Sequence, residues 1–185
     1  SSKRDLTMKK LLILLFSILI SFNSYGETET DYYENGQIES EINYKDGILD
    51  GKTTYWHKSG EIYSEEYYTD GKEDGKWTRW YENGQKRYVG NYIDGKKVGE
   101  STLWYENGLK RFEGNYKDDK LEGKTTWWHK NAQIERESNY KDDKLEGKTT
   151  WWHKSGEIYS EANYKDGKIE GKRTWWHGNG QISAE

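Results

Sequence analysis

The chain has 185 residues, of which 31% are hydrophobic and 34% charged, with 29 Lys/Arg against 33 Asp/Glu, no Cys and no Pro, but 20 Gly, 10 Trp and 16 Tyr. Its length fits one conventional domain, yet so few aliphatics exclude a thick two-layer core; aromatics, at roughly 150–250 Å² each, must supply most of the buried area. The aromatic content argues against a disordered chain, the lack of thiols excludes disulfides and cysteine metal sites, and the acidic balance disfavours nucleic acid and anionic membrane surfaces.

Residues 1–7 (SSKRDLT) precede Met8 and read as translated upstream sequence or an expression remnant. From Met8, Lys9 and Lys10 form a basic n-region, Leu11 to Ile20 an apolar h-region, and Ser24 and Gly26 the small residues of a cleavage site. This is the pattern of a secretory signal peptide over residues 8–26. The ten-residue apolar run is too short to cross a bilayer core of ~30 Å. No cysteine follows it, so no lipid anchor is expected. The expected location is the periplasm, the cell surface or the medium. Residues 1–26 hold four of the basic and one of the acidic residues, so the remainder carries a net charge of −7. Residues 27–31 read as a short linker.

The stretch 32–185 is one motif repeated every 24 residues. A turn position recurs at Gly36, Gly60, Gly84, Gly108, Ala132, Gly156 and Gly180. A second recurs at Gly47, Gly71, Gly95, Asp119, Asp143 and Gly167, and a third at Gly51, Gly75, Gly99, Gly123, Gly147 and Gly171. Each unit carries two strand signals. In "QIESEINYK" (37–45), Ile38, Ser40, Ile42 and Tyr44 alternate with polar residues, the period-two pattern of a strand with one apolar face. "GKTTYWHK" (51–58) is dense in β-branched and aromatic residues. The Asn-Gly and Asp-Gly joints predict type I′ hairpin turns, in which both central residues need φ > 0. Asp119 and Asp143 tolerate that conformation, whereas Ala132 should cost stability. The prediction is an all-β chain: six to seven units, about thirteen antiparallel strands, an elongated twisted meander in which stacked units bury faces that no single unit can.

Two stretches, "RFEGNYKDDKLEGKTTWWHKN" (111–131) and "YVGNYIDGKKVGESTLWYENG" (88–108), resemble MORN repeats of the bacterial variant type. The matching elements are aromatic-x-Gly-x-Tyr (Phe112, Gly114, Tyr116; Tyr88, Gly90, Tyr92) and the D-G-K and x-G-K that follow. Other units depart by placing Ile42, Glu66, Ser138 or Ala162 at the middle glycine. The resemblance covers about residues 31–185. It implies stacked β-hairpins in an open, curved sheet, and roles in scaffolding, protein association and sometimes lipid contact. Some bacterial members carry an antitoxin label, which makes neutralisation of a partner protein one alternative.

The residues offer little for catalysis. His57, His129, His153 and His177 share one repeat position, filled elsewhere by Tyr81 and Tyr105. Strands are ~4.8 Å apart, so copies two strands apart lie about 10 Å from one another and cannot share a metal ion within one chain. They read as polar aromatics at strand ends. Asp118-Asp119 and Asp142-Asp143 fall in turns and lack calcium-loop spacing. No enzyme, cofactor or metal is expected.

Two tryptophan columns are more informative. Trp56, Trp80, Trp104, Trp128, Trp152 and Trp176, with Tyr32 before them, form one column and read as packing, stacked on the column Tyr44, Tyr68, Tyr92, Tyr116, Tyr140 and Tyr164. The preceding position varies: Tyr55, Arg79, Leu103, Trp127, Trp151, Trp175. Alternation sends it to the opposite face, where Tyr55, Trp127, Trp151 and Trp175 are candidates for partner binding. The expected function is an exported, non-enzymatic scaffold for protein–protein contact. The alternative is a module that binds envelope glycan on a Trp127/Trp151/Trp175 ladder. Membrane-lipid contact is not expected. The last unit stops at "NGQISAE" (179–185), which points either to a fragment of a longer array or to a bare terminal strand.

Overall fold

A computed structural model describes residues 21–23 and 26–185. The export segment expected at 8–26 therefore lies mostly outside the described residues. Ser21–Asn23 pairs antiparallel with Gly26–Thr28.

The described chain is a meander of nineteen antiparallel strands in one sheet, with no helix. The sheet is open, because each strand pairs only with the strands beside it in chain order, once each two-residue piece is counted with the strand that follows it. The count exceeds thirteen for a simple reason. Four two-residue pieces (Ile48–Leu49, Lys72–Glu73, Lys120–Leu121, Lys144–Leu145) are split from the strand that follows by one unpaired residue. The other two extra strands, Ser21–Asn23 and Gly26–Tyr32, precede the expected array. The second corrects the linker at 27–31. Glu27 to Asp31 pair with Tyr44 to Ser40, and Thr28 Oγ1 donates to Asn43 Oδ1 at 2.7 Å. The stretch ETETD has no apolar alternation to reveal a strand, but the first hairpin has an edge whose ladder it completes.

The turns also sort differently from expectation. At the Asp-Gly joints both residues have positive φ, as at Asp46 (52°) and Gly47 (76°), which is type I′. Asp118-Asp119 and Asp142-Asp143 keep that geometry. At the Asn-Gly joints only the glycine is left-handed. Gly36 N donates to Tyr33 O and Tyr33 N to Gln37 O, closing a three-residue loop in which a turn ends on an αL bulge residue. Asn35 is instead spent on hydrogen bonds: its side chain accepts from Gln37 N and donates to Lys58 O one unit on. The type I′ expectation thus fails at Asn-Gly, because a side-chain clamp holds Asn in ordinary backbone space. Ala132 is forced into the glycine conformation at φ 67°.

Both faces of the sheet bury small side chains: Thr54, Thr78, Thr102, Thr126 and Thr150 on one are 6–9% exposed, and the other is packed more completely. Thr53, Ser64, Ser101, Thr125, Ser138, Thr149 and Ser160 on it are at most 2% exposed. Small side chains can reach such burial in a single sheet because neighbouring large ones close over them. The aromatic-x-Gly element does this within one strand. A Cβ at Gly114 would stand 2.6 Å from Phe112 Cζ, and one at Gly90 would strike the Tyr88 hydroxyl. Each ring therefore lies along its own strand over the glycine two residues on. Units without that glycine have no ring at the first position: Ser40 precedes Ile42, Ser64 precedes Glu66, and Ser160 precedes Ala162.

Candidate functional site

Cross-strand pairing builds one continuous row on the tightly packed face. It runs Asp31–Ser40–Tyr55–Ser64–Arg79–Tyr88–Leu103 and then Phe112–Trp127–Arg136–Trp151–Ser160–Trp175–Ala184. Paired residues project to the same side of a sheet, so all four candidate binding residues stand in this row. Trp127, Trp151 and Trp175 are neighbours at two-strand intervals, about 10 Å apart, while Tyr55 stands six strands from Trp127, roughly 29 Å away. All four are half-buried.

The same register overturns the expected packing. Tyr44, Tyr68, Tyr92, Tyr116, Tyr140 and Tyr164 lie on the row face, because each shares its strand face with the row residue four positions earlier. Their cross-strand partners are Glu27 and the third glycine column, Gly51 to Gly147. The tyrosines thus contact the variable column: Trp151 meets Tyr164 edge-on at 6.3 Å between ring centroids. The invariant Trp56, Trp80, Trp104, Trp128, Trp152 and Trp176 instead pair with Ile62, Lys86, Lys110, Ile134, Ile158 and Ile182. The expectation had the right opposition of faces and the wrong partner for each, because only the hairpin register joins one strand's parity to the next.

The backbone at that second tryptophan also ties the units together. Its carbonyl accepts a bond from the previous unit: Tyr33 OH to Trp56 O (2.7 Å), Tyr81 OH to Trp104 O (2.8 Å), Tyr105 OH to Trp128 O (2.6 Å) and His129 Nε2 to Trp152 O (3.1 Å). Histidine and tyrosine therefore do the same work at this position, each presenting a ring with a polar tip. His57 and His153 also meet Tyr63 and Tyr159 edge-on at 5.2 and 5.1 Å. The turn acids are likewise structural. Asp119 Oδ1 accepts from Lys97 N and Asp143 Oδ1 from Leu121 N, so each carboxylate that replaces a turn glycine satisfies a backbone donor of the preceding unit. Among the described residues no three His, Asp or Glu side chains converge to hold a metal ion.

The row's aromatic surfaces are largely occupied. Phe112 packs on Trp127 at 4.5 Å, with Arg136 over the same indole at 5.4 Å. The Arg173 guanidinium lies between Trp151 (4.5 Å) and Trp175 (4.9 Å), and Lys97 sits over Tyr88 (5.4 Å) and Tyr116 (4.9 Å). Trp127, Arg136 and Trp151 line one shallow pocket with Glu135 at its rim. A second is lined by Arg79, Tyr88, Lys97, Leu103, Phe112 and Tyr116, among others. Burial holds the Tyr68 hydroxyl well above the usual tyrosine range, reinforced by its hydrogen bond to Glu66. Tyr55 and Tyr116 are raised first by burial as well. Lys97, Arg136 and Arg173 escaped sequence reasoning, since as isolated surface cations they carry no signal; Arg79 stands in the variable column but does not read there as a site residue. Only the cross-strand row places them among the rings.

No curated protein matches the chain. The family model described as MORN repeat variant matches residues 28–46, 49–72, 73–94, 97–118, 121–142 and 145–166. These six matches cover more than half of the chain, and with the stacked 24-residue hairpins and the ring-over-glycine packing they place the protein in the MORN repeat variant family.

Proposed function

We propose that the protein is an exported, non-enzymatic scaffold that binds another protein along its row face. Repeats of this family are associated with binding scaffolds, and the observation that carries the finer reading is the row itself. It sets Phe112, Trp127, Arg136 and Trp151 side by side on successive strands, with Trp175 beyond Ser160, and aromatic and guanidinium groups are the ones favoured at protein interfaces. The signal-peptide pattern at 8–26 supports action at the envelope or outside the cell. A sugar-stacking ladder would need uncovered indole faces. Phe112, Arg136 and Arg173 lie against those of Trp127, Trp151 and Trp175, which favours a protein partner over a glycan. Affinity capture from an envelope fraction with residues 27–185, run beside a Trp151→Ala/Trp175→Ala variant, tests the reading. Specific capture that the double change abolishes supports it; equal capture by both chains refutes the assignment of the site. A glycan-induced change in tryptophan fluorescence would revive the sugar reading.

A further inference from the structure

Charge on the row face is sorted along the array. Before residue 74 the strand positions on this face hold Glu27, Glu29, Asp31, Glu66 and Glu73, with no cation among them. From Gly75 to Trp175 they hold Arg79, Lys97, Arg136 and Arg173, with no carboxylate. The opposite face is not sorted. There Lys52, Lys124 and Lys148 pair with Glu65, Glu137 and Glu161 on the adjacent strand.

The row-face cations are handled differently. Arg79 reaches Glu66 at 3.4 Å, but among the described residues Lys97, Arg136 and Arg173 form no ion pair. They lie over Tyr88, Tyr116, Trp127, Trp151 and Trp175 instead. Glu135, at the rim beside Arg136, is directed to His129 at 3.9 Å. A guanidinium held over an indole is oriented in advance; Arg173 Nε donates to Ser160 Oγ at 2.8 Å, which leaves its two terminal nitrogens for a planar, bidentate acceptor. An overall acidic protein thus presents an isolated positive strip walled by rings.

We propose that this strip, from Arg79 to Arg173, receives an extended segment of a partner protein rich in Asp or Glu. The proposal rests on the scaffold reading above and names the partner's chemistry. The strip spans eight strand spacings, roughly 38 Å, which an extended segment of about twelve residues covers. The unpaired Lys97, Arg136 and Arg173 give it charge complementarity, and Glu66, which holds Arg79, together with the other acids ahead of it disfavours the segment's continuation past that end, fixing register.

The test is fluorescence anisotropy of a labelled twelve-residue peptide of alternating Glu and Thr with the full chain, at 50 and 200 mM salt. Alternating Lys and Thr serves as control. We expect binding of the acidic peptide only, weaker at the higher salt, and about tenfold weaker for Arg136→Gln/Arg173→Gln. Lys124→Gln/Lys148→Gln, on the opposite face, should leave it within about twofold. The proposal is overturned if the acidic peptide does not bind, if the opposite-face variant weakens it equally, or if phosphatidylserine vesicles bind the strip and the peptide does not. Envelope capture that still depends on Trp151 and Trp175 while the peptide fails would leave the scaffold reading standing and remove only the acidic segment. Loss of both would remove the site.

Discussion

The sharpest consequence of the ring-over-glycine packing is that Gly114 and Phe112 must be replaced together. An alanine Cβ at 114 would lie 2.6 Å from Phe112 Cζ, 3.0 Å from Thr125 Cγ2 and 3.3 Å from Phe112 Cε1. Neither neighbour has room to yield, since Phe112 is 2% exposed and Thr125 fully buried. The backbone is not at issue, because φ at Gly114 is not positive. Gly114→Ala alone should therefore cost about 1–3 kcal/mol, the usual range for overpacking. Phe112→Ser should cost about 3–5 kcal/mol, as loss of a buried ring does. In the Phe112→Ser background, however, Gly114→Ala should cost nearly nothing. The combination reproduces a trio already present in the chain, where Ser160, Ala162 and Thr149 are packed together and buried. A double-mutant cycle in urea, followed by tryptophan fluorescence, measures the coupling; Trp127 stacks on Phe112 and reports locally. An equal cost for Gly114→Ala in both backgrounds would refute the account.

Ala132→Gly relieves the left-handed backbone at φ 67° and should stabilise the array by about 1 kcal/mol, a rise of roughly 2–4 °C in thermal midpoint. No rise would mean that the turn strain is relaxed in solution. His129→Tyr should leave stability within about 0.5 kcal/mol, because Tyr105 makes the equivalent bond to Trp128 O, whereas His129→Phe should lose about 1 kcal/mol by leaving Trp152 O unpaired. Chemical denaturation of the two variants side by side decides it. Burial raises the hydroxyls of Tyr44, Tyr55, Tyr68, Tyr92, Tyr105 and Tyr116. Above pH ~10 the unfolded chain releases these protons while the folded chain retains them, so stability should be flat below pH ~10 and fall above it. Denaturation midpoints between pH 8 and 11, read beside tyrosinate absorbance, show the slope or its absence.

Repeat length, strand positions and the family resemblance were legible in the sequence because they depend on chain-local properties. Period-two alternation gives strands, and glycine or aspartate at a fixed offset gives turns. The same locality explains the misreadings. ETETD at 27–31 has no apolar face, so only its ladder with residues 40–44 shows it to be a strand. Asn35-Gly36 and Asp46-Gly47 look equivalent in sequence, and the Asn35 bond to Lys58 O, made across a unit boundary, separates them. The shared repeat position of the histidines was legible, but the tryptophan carbonyls one unit away that His57 and His129 meet, Trp80 O and Trp152 O, lay beyond the sequence's reach.

The sequence by itself determined that the two tryptophan columns oppose each other, because neighbouring residues on one strand must point to opposite faces. Which column joins the tyrosines was decided only by tertiary structure. That choice depends on the register between strands, and a shift of one residue would exchange every partner. The observed register, Ser40 opposite Tyr55 and Arg136 opposite Trp151, places the variable column with the tyrosines and gathers the unpaired arginines among the rings.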